Sequence, residues 1–407
     1  TSVNGMLVDG CTITGNTQGA FISQATTPSA FDNITIQNST ISNNYQKGLY
    51  FEKLSNAMLN NLTMDNNGTD ATYNVNNGID INLKYASYSN ITIQNCDITN
   101  SGANGIAVNP LNAAVIAIKA RDDSPSYNSI PASLTNVLIK NNRITGPQNG
   151  IRFGEFDKIN NTPSNVTVEG NDLSGPYANK TIINRNNSDV NVVCNWHGTT
   201  SLPVILATFA EAGTGDIVLS TVLNAGGDGS GAVGFQPSGM CECPGGNLVT
   251  NMATMETFCT IQAAIDDSDT GAGNILNVGP GTYIEDVIVN KSVILRGPNY
   301  LIDPCSGTRN PEAIVVPATA AIASGEIFHV AASNVTISGF TIDGDNTALS
   351  SGFTSTNGAD IDAAEGITVY ETGINNLTAT NNIIQNLSYF GITLYDYPAG
   401  VPSSGHV

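Results

Sequence analysis

The residues of this sequence best suited to binding a metal lie in one tight turn, Asp343-Gly344-Asp345-Asn346. Side-chain oxygens at alternate positions around a glycine bend suit a hard cation, and Ca²⁺ prefers such ligands. The segment lacks the later glycine and glutamate of a complete EF-hand loop, so a plain solvated turn is the alternative. The candidate ligands are therefore Asp343, Asp345 and Asn346, and Ca²⁺ is the candidate cofactor.

The basic residues offer a second candidate, because Arg143 and Arg152 flank one repeat of the sequence and Glu155 lies nearby. Such a group could contact a sugar acid, and ion pairing on the protein surface is the competing interpretation. His197 and His329 match no metal-ligand spacing, and no Ser-His-Asp or Cys-His arrangement is indicated. The sequence therefore predicts no catalytic residue.

The seven cysteines fall into two groups. Cys11 and Cys96 occupy the same place in the repeat, but two repeats lie between them, so they would be roughly 14 Å apart and too far for a disulfide. The others cluster around a boundary between two modules, and in an oxidising compartment disulfides there would hold the two modules together, with the pairing left open by the sequence. These candidates are Cys194, Cys241, Cys243, Cys259 and Cys305.

The charge of the chain limits its partners. It has 34 acidic and 14 basic residues and a net charge of −20. A polyanion repels phosphate groups, which argues against nucleic acid and anionic membranes as partners. There is no run of about 18 apolar residues, so no membrane span is expected.

The elements that position these residues come from an internal repeat, which we call a coil. A strand with Ile or Val at alternate positions begins after an Asn, and a second short strand follows a bend. Irregular spacing between coils indicates that the strands are kept and the loops vary. Examples are GMLVDGCTITGN at Gly5, NITIQNSTISNN at Asn33, NITIQNCDITNS at Asn90, NVTVEGNDLSGP at Asn165 and NVTISGFTIDGD at Asn334.

The bend between the two strands of a coil carries Asn or Gly. These residues tolerate a left-handed backbone, so a sharp turn is predicted there. Stacked coils would place the Asn side chains above one another, where their amides can hydrogen-bond along the stack. The positions are Asn38, Asn61, Asn95, Asn141, Asn381, Gly10, Gly170 and Gly339.

The composition and the coils together predict an all-β protein, a right-handed parallel β-helix, that is, a solenoid. Its 41 Gly and low content of charged residues suit many short strands and tight turns, and they disfavour long helices. A leucine-rich or helical repeat would need a Leu-rich helix in each unit, which the sequence does not contain. One short amphipathic helix is predicted near 260–266, with Ile261, Ala264 and Ile265 on one face as a cap.

Three regions are expected along the chain. Residues 1–200 form the C-terminal part of one β-helix module, and residues 201–259 form its end cap and a Cys-containing linker. Residues 260–407 begin a following module. We expect a segment of a longer tandem array, with one repeat as the simplest unit.

Three motifs after this linker, TIQAAID from Thr260, VGPGTYIE from Val278 and VNKSVILRG from Val289, resemble the N-terminal coils of the pectin-lyase-like superfamily. That superfamily includes pectin methylesterases and non-enzymatic bacterial surface repeats. CNWHGTT from Cys194 is similar to the signature with which such bacterial modules end. The resemblance implies the β-helix fold, but the catalytic residue sets of the esterases, polygalacturonases and pectate lyases are incomplete here.

These observations favour a structural or adhesive extracellular protein, a segment of a tandem β-helix surface fibre. Its expected partners are copies of itself or neighbouring repeats, head to tail, with polysaccharide as a further candidate. A polysaccharide-active enzyme and a non-catalytic carbohydrate-binding module are the alternatives. An enzyme predicts clustered carboxylates and basic residues on neighbouring coils, and a sugar-binding module predicts aligned aromatic side chains.

Overall fold

The computed structural model of the protein describes residues 3–22, 31–73, 75–103 and 111–395, with the backbone alone at residues 21 and 22. The chain divides into two compact units, Thr1–Glu242 and Cys243–Val407. The boundary falls inside the segment 201–259, which the sequence predicts to be a linker.

In the part of the first unit that the structure describes, there are two sheets of mainly parallel strands and one short helix, α1 (Leu202–Leu206). Its strands are β1 (Val3–Asp9), β2 (Thr12–Thr14), β3 (Gln18–Ile22), β4 (Phe31–Ser42), β5 (Lys47–Phe51), β6 (Ser55–Asp65), β7 (Asn77–Leu83), β8 (Ser87–Gln94), β9 (Asp97–Thr99), β10 (Ala114–Ala120), β11 (Ser133–Lys140), β12 (Arg143–Ile144), β13 (Ile151–Phe153), β14 (Ser164–Glu169), β15 (Ile182–Asn184), β16 (Val190–Asn195), β17 (Phe209–Glu211), β18 (Ile217–Leu223) and β19 (Cys241–Glu242).

The strands of this unit alternate between the two sheets along the chain. Sheet A has the order β1-β4-β6-β8-β11-β14-β16-β18-β19, with β2, β9 and β12 paired beside this path, and sheet B has the order β17-β15-β13-β10-β7-β5-β3. All pairings are parallel except that of β18 with β19. Each return of the chain therefore adds a strand beside the previous one in the same sheet.

Alternation of apolar and polar residues sets the register of sheet A. One set of in-register side chains faces the core on successive strands and is buried, and burial of each large aliphatic member contributes about 1.5–3 kcal/mol. A shift of one residue would turn such a strand's apolar side chains outward, so the repeat fixes the register. We call such a set of in-register side chains a column, and this one consists of Ile34, Ala57, Ile91, Val137, Val166 and Val190.

The described residues of the second unit form three sheets. After a short 3-10 helix (Pro244–Gly246), its elements are β20 (Val249–Asn251), β21 (Thr257–Phe258), α2 (Ile261–Asp266), β22 (Ile275–Val278), β23 (Gly281–Ile284), β24 (Val287–Val289), β25 (Ile294–Arg296), β26 (Ala313–Val316), β27 (Ala321–Val330), β28 (Thr336–Ser338), β29 (Thr341–Asp343), β30 (Ala363–Val369), β31 (Thr378–Thr380), β32 (Ile383–Gln385) and β33 (Phe390–Leu394).

The chain visits these sheets in a fixed cyclic order from β22 to β33. Sheet C has the order β21-β20-β22-β25-β28-β31, sheet D β23-β26-β29-β32 and sheet E β24-β27-β30-β33. Every pairing in this run is parallel, and β20 alone pairs antiparallel with β21 and β22. The prediction of an all-β chain with parallel sheets is confirmed. Among the helices in the described part of the chain, none has the length and apolarity needed to cross a membrane.

The helix expected near 260–266 is α2. The hydroxyl of Thr260 accepts a hydrogen bond from the backbone N–H of Ala263 at 3.1 Å and so caps its first turn. Its buried face packs against β20, β21 and β24. The carboxylate of Glu285 accepts hydrogen bonds from the N–H groups of Ile261, at 2.8 Å, and Gln262, at 2.9 Å. Burial raises the pKa of Glu285 to about 7, although these two N–H groups lower it.

This pKa predicts a dependence of stability on pH. Because the folded-state pKa of Glu285 lies above its ordinary value of 4.5, its contribution is complete below pH 4.5 and is lost as the pH rises to about 7. Relative to Glu285→Gln, the free energy of unfolding of the native protein should therefore fall by about 2–3 kcal/mol between pH 4.5 and pH 8. Urea unfolding of both proteins across this range measures the difference, and parallel pH profiles would contradict the prediction.

Candidate functional site: a buried charged cluster

The outer face of sheet B carries polar residues where a solvent-facing surface would be expected. Tyr50, Asp80, Ala117 and Arg152 lie in register on β5, β7, β10 and β13. Their neighbours in each strand point to the apolar core, because side chains alternate along a strand. Asp80 and Arg152 are nevertheless completely buried. We define the charged cluster as Lys47, Glu52, Asp80, Lys84, Lys119, Arg121, Asp123, Arg152, Glu155 and Lys158.

A chain of ion pairs runs across the charged cluster. One carboxylate oxygen of Asp80 lies 2.5 Å from the ammonium of Lys47, and the other lies 3.5 Å from that of Lys119. Lys119 also lies 3.6 Å from Glu155, which pairs with Arg121 at 2.7 Å. These contacts connect residues on β5, β7 and β10 with residues in the loops that follow.

Arg121 extends this chain at the edge of the charged cluster. Its guanidinium pairs with Asp123 at 2.5 Å, and Asp123 also pairs with Lys158 at 2.8 Å. The guanidinium carbon lies 4.4 Å from the ring centroid of Tyr127, within the range of a cation–π contact.

Burial and charge compete at the centre of the charged cluster. Burial alone would raise the pKa of Asp80, but the charges of Lys119 and Lys47 outweigh it and hold that pKa below its usual range. Burial lowers the pKa of Lys119, and the carboxylates of Asp80 and Glu155 offset this only in part. Asp80 is therefore an anion on which several buried cations depend.

Tyr50 lies beside a second buried pair. Its hydroxyl donates a hydrogen bond to Glu52 at 2.7 Å, and Glu52 pairs with the ammonium of Lys84. The ammonium of Lys47 lies 3.8 Å from the centroid of the Tyr50 ring. Burial raises the pKa of the Tyr50 hydroxyl above its ordinary range, so it serves as a hydrogen-bond donor.

The composition of the charged cluster sets what it can do chemically. It holds six of the chain's 14 basic residues with four carboxylates, a formal charge of +2 in a protein of net charge −20. Every one of these carboxylates already has a cationic partner. The arrangement therefore connects neighbouring strands through buried ion pairs.

The two arginines singled out in the sequence have different surroundings. Arg143 pairs with Asp97 at 2.6 Å and with Asp228 at 2.5 Å and is half-buried. Arg152 belongs to the charged cluster and donates to the carbonyl of Gly154 at 2.7 Å. Surface pairing is therefore a correct description of Arg143 and a wrong one of Arg152, whose side chain is enclosed at the outer face of sheet B.

The predicted bend positions all have a left-handed backbone. The amide of Asn61 donates to the side-chain oxygen of Asn38 at 2.7 Å, which is the stacking expected from the sequence. Asn95 donates instead to Asn60 at 3.0 Å, and Asn381 to the carbonyl of Tyr300 at 2.7 Å. The backbone φ is between 50° and 81° at Asn38, Asn61, Asn95, Asn141, Asn381, Gly10, Gly170 and Gly339.

The described residues also contain asparagine ladders that the sequence did not predict, among them an exposed one and a buried one. An exposed ladder joins the Asn that begins each coil, with Asn165 donating to Asn136 at 2.7 Å and Asn136 to Asn90 at 2.9 Å. A buried ladder lies one residue after the bend, where the Asn142 amide donates to Asn171 at 2.9 Å and that of Asn171 to Asn195 at 2.9 Å. Each ladder bonds successive coils to one another.

The candidate calcium ligands mostly have partners within the protein. The Asp343 carboxylate accepts hydrogen bonds from Gln385 at 2.7 Å and Asn386 at 2.8 Å, and the Asn346 oxygen accepts from the N–H of Ala348 at 3.1 Å. Burial and neighbouring carboxylates raise the pKa of Asp345. Among the described residues, no group of three or more Asp, Glu, His or Cys could hold a metal ion. Calcium at this turn stays a prediction. The hydrogen bonds that these oxygens already accept argue against it.

Four of the five candidate cysteines form disulfides. Cys194 is bonded to Cys241 with their Cα atoms 5.2 Å apart, and Cys243 to Cys259 with Cα atoms 5.1 Å apart. The first bond lies within the first unit and the second within the second unit. Cys305 is a free, exposed thiol.

Comparison with known proteins gives one partial match. Over 147 residues the chain is 34% identical to a protein named "Cell surface glycoprotein" from Methanothermus fervidus. The match covers 36% of this chain and 19% of that protein's length. No protein-family model matches the chain, and no solved structure matches it.

Proposed function

We propose that this chain is a segment of an extracellular cell-surface fibre with a structural or adhesive role, in which each unit is a right-handed parallel β-helix. The observation that carries the proposal is the cyclic order in which the chain visits its parallel sheets. A chain that returns to each sheet one strand further on builds a stack of coils, which can be extended without changing its contacts.

The bonds between coils support a mechanical role. In-register apolar columns, asparagine ladders and the charged cluster each connect a coil to the next. Such contacts resist separation of the strands along the stack, because many must break together. A fibre of this kind needs no catalytic residue.

The in-register columns of sheet E support stacking of further coils. Ile392 and Leu394 of β33 continue the columns of Ile367 and Val369, which are completely buried. A further coil would extend such columns in the same register, so the proposed partner is a neighbouring repeat or a second copy, joined head to tail.

The surface location rests on two observations. The relative named as a cell surface glycoprotein is one of them. The other is the pair of disulfides, since such bonds persist in oxidising environments outside the cytosol.

The charged cluster favours a second candidate function, a polysaccharide-active enzyme or a carbohydrate-binding module. It brings carboxylates and basic residues of neighbouring coils together, which is the arrangement that an enzyme predicts. Cleavage of an acidic polysaccharide by the purified protein would replace the fibre proposal with this one.

Immunoelectron microscopy of intact producing cells tests the fibre proposal. We expect antibody against the chain to label filaments outside the cell envelope. Label that appears only after the cells are permeabilised would contradict the proposal.

A further inference from the structure

A groove lies on the outer face of sheet C. Thr250, Asn277 and Arg296 lie in register on the adjacent strands β20, β22 and β25, so their side chains form a row with about 4.8 Å between neighbours. The groove has a volume of about 500 Å³, within the range of small-ligand pockets. Its walls are mainly apolar and are formed by Gly246, Leu248, Val278, Pro280, Gly297 and Pro298.

Arg296 is the charged residue of this groove. Its guanidinium carbon lies 4.7 Å from the ring centroid of Tyr300, within the range of a cation–π contact. Arg121, Arg143 and Arg309 pair with carboxylates, but no ion pair of Arg296 occurs among the described residues. A guanidinium without a carboxylate partner keeps its N–H groups for another acceptor, and a carboxylate can accept two of these hydrogen bonds.

We propose that this groove binds the C-terminal carboxylate of a partner peptide whose last residue is apolar. Arg296 binds the carboxylate, and the neighbouring Asn277 offers an amide that can pair with the last peptide group. The apolar side chain packs against Leu248 and Pro280. Charge complementarity and the apolar walls favour such a peptide over an acidic sugar, because the sugar would place hydroxyl groups against Leu248 and Pro280. The inference goes beyond the fibre proposal and does not rest on it.

Fluorescence anisotropy with a labelled heptapeptide that ends in a free Leu carboxylate tests the inference on the whole chain. We expect a Kd on the order of 0.1–1 mM, since one charge-assisted contact and one apolar side chain are buried. The same peptide with a C-terminal amide should bind at least tenfold more weakly. Arg296→Gln should weaken binding of the free acid by a similar factor.

The matched control is Lys140→Gln, which removes one positive charge from an exposed ion pair in the first unit and should leave binding unchanged. Asn277→Ala is a second variant, expected to weaken binding about threefold, and circular dichroism establishes that each variant is folded. Equal affinity for the acid and the amide, unchanged binding by Arg296→Gln, absence of binding, or equally effective displacement by glucuronate would each overturn the inference.

Discussion

Replacement of Asp80 by Asn is expected to lower the free energy of unfolding by about 3–5 kcal/mol, the usual cost of breaking a buried ion pair. The amide keeps the shape of the side chain but removes the anion between Lys47 and Lys119. Both ammonium groups would then be buried beside an uncharged group. Urea unfolding at neutral pH, followed by the fluorescence of Trp196, measures the loss in the first unit.

Glu169→Gln is the matched control, because it breaks the pair between Lys140 and Glu169, which is partly exposed. It should cost less than about 1 kcal/mol. Adding Lys119→Met to Asp80→Asn should recover part of the loss, since it removes an uncompensated charge. If Asp80→Asn lowered the free energy of unfolding by less than about 1 kcal/mol, the charged cluster would not stabilise the pairing of the strands.

The buried asparagine ladder should be nearly as sensitive. Asn171 is completely buried, accepts hydrogen bonds from the N–H and the amide of Asn142 at 2.9 Å, and donates to Asn195 and to the carbonyl of Ile139 at 2.9 Å. Asn171→Ala leaves several of these groups without partners, and each buried unpaired group costs about 1–3 kcal/mol. We expect a total loss of about 3–5 kcal/mol in the same unfolding experiment.

Asn136 of the exposed ladder provides the comparison. Its φ is 62°, so Asn136→Gly keeps the backbone conformation and removes only exposed amide bonds. The change in stability should be below about 1 kcal/mol. If Asn136→Gly cost as much as Asn171→Ala, burial would not be what distinguishes the two ladders.

Local patterns in the sequence predict the repeated part of the fold well. The alternation in Ile34-Thr35-Ile36 determines which side chains face the core. Asn38 and Gly170 mark bends because few other residues adopt a positive φ. These signals act within a few residues, and so they are visible without knowledge of the packing.

The charged cluster could not be found in this way, because its partners are far apart along the chain. Lys47 and Asp80 are separated by 33 residues, and both lie in segments whose outer face would ordinarily be solvated. One signal was present: Lys119 interrupts the apolar strand AVIAIKA, which is buried throughout. Burial of that lysine requires an ion partner, and only the pairing of β10 with β7 identifies Asp80 as that partner.

The buried ladder also has a partial signal in the sequence. Asn142, Asn171 and Asn195 each follow the left-handed residue of a bend directly, at Asn141, Gly170 and Cys194. The residue after the bend is Cys96 in another coil and Phe340 in the second unit, so the pattern is incomplete. Whether a side chain there points into the stack depends on the backbone turn, which the residue types alone do not specify.

Cryo-electron microscopy of the surface material from producing cells tests the fibre account most directly. We expect filaments that contain this chain, with strands perpendicular to the filament axis and a layer spacing of about 4.8 Å, the distance between paired strands. Isolated particles without axial order, from material in which the chain is intact, would contradict the account.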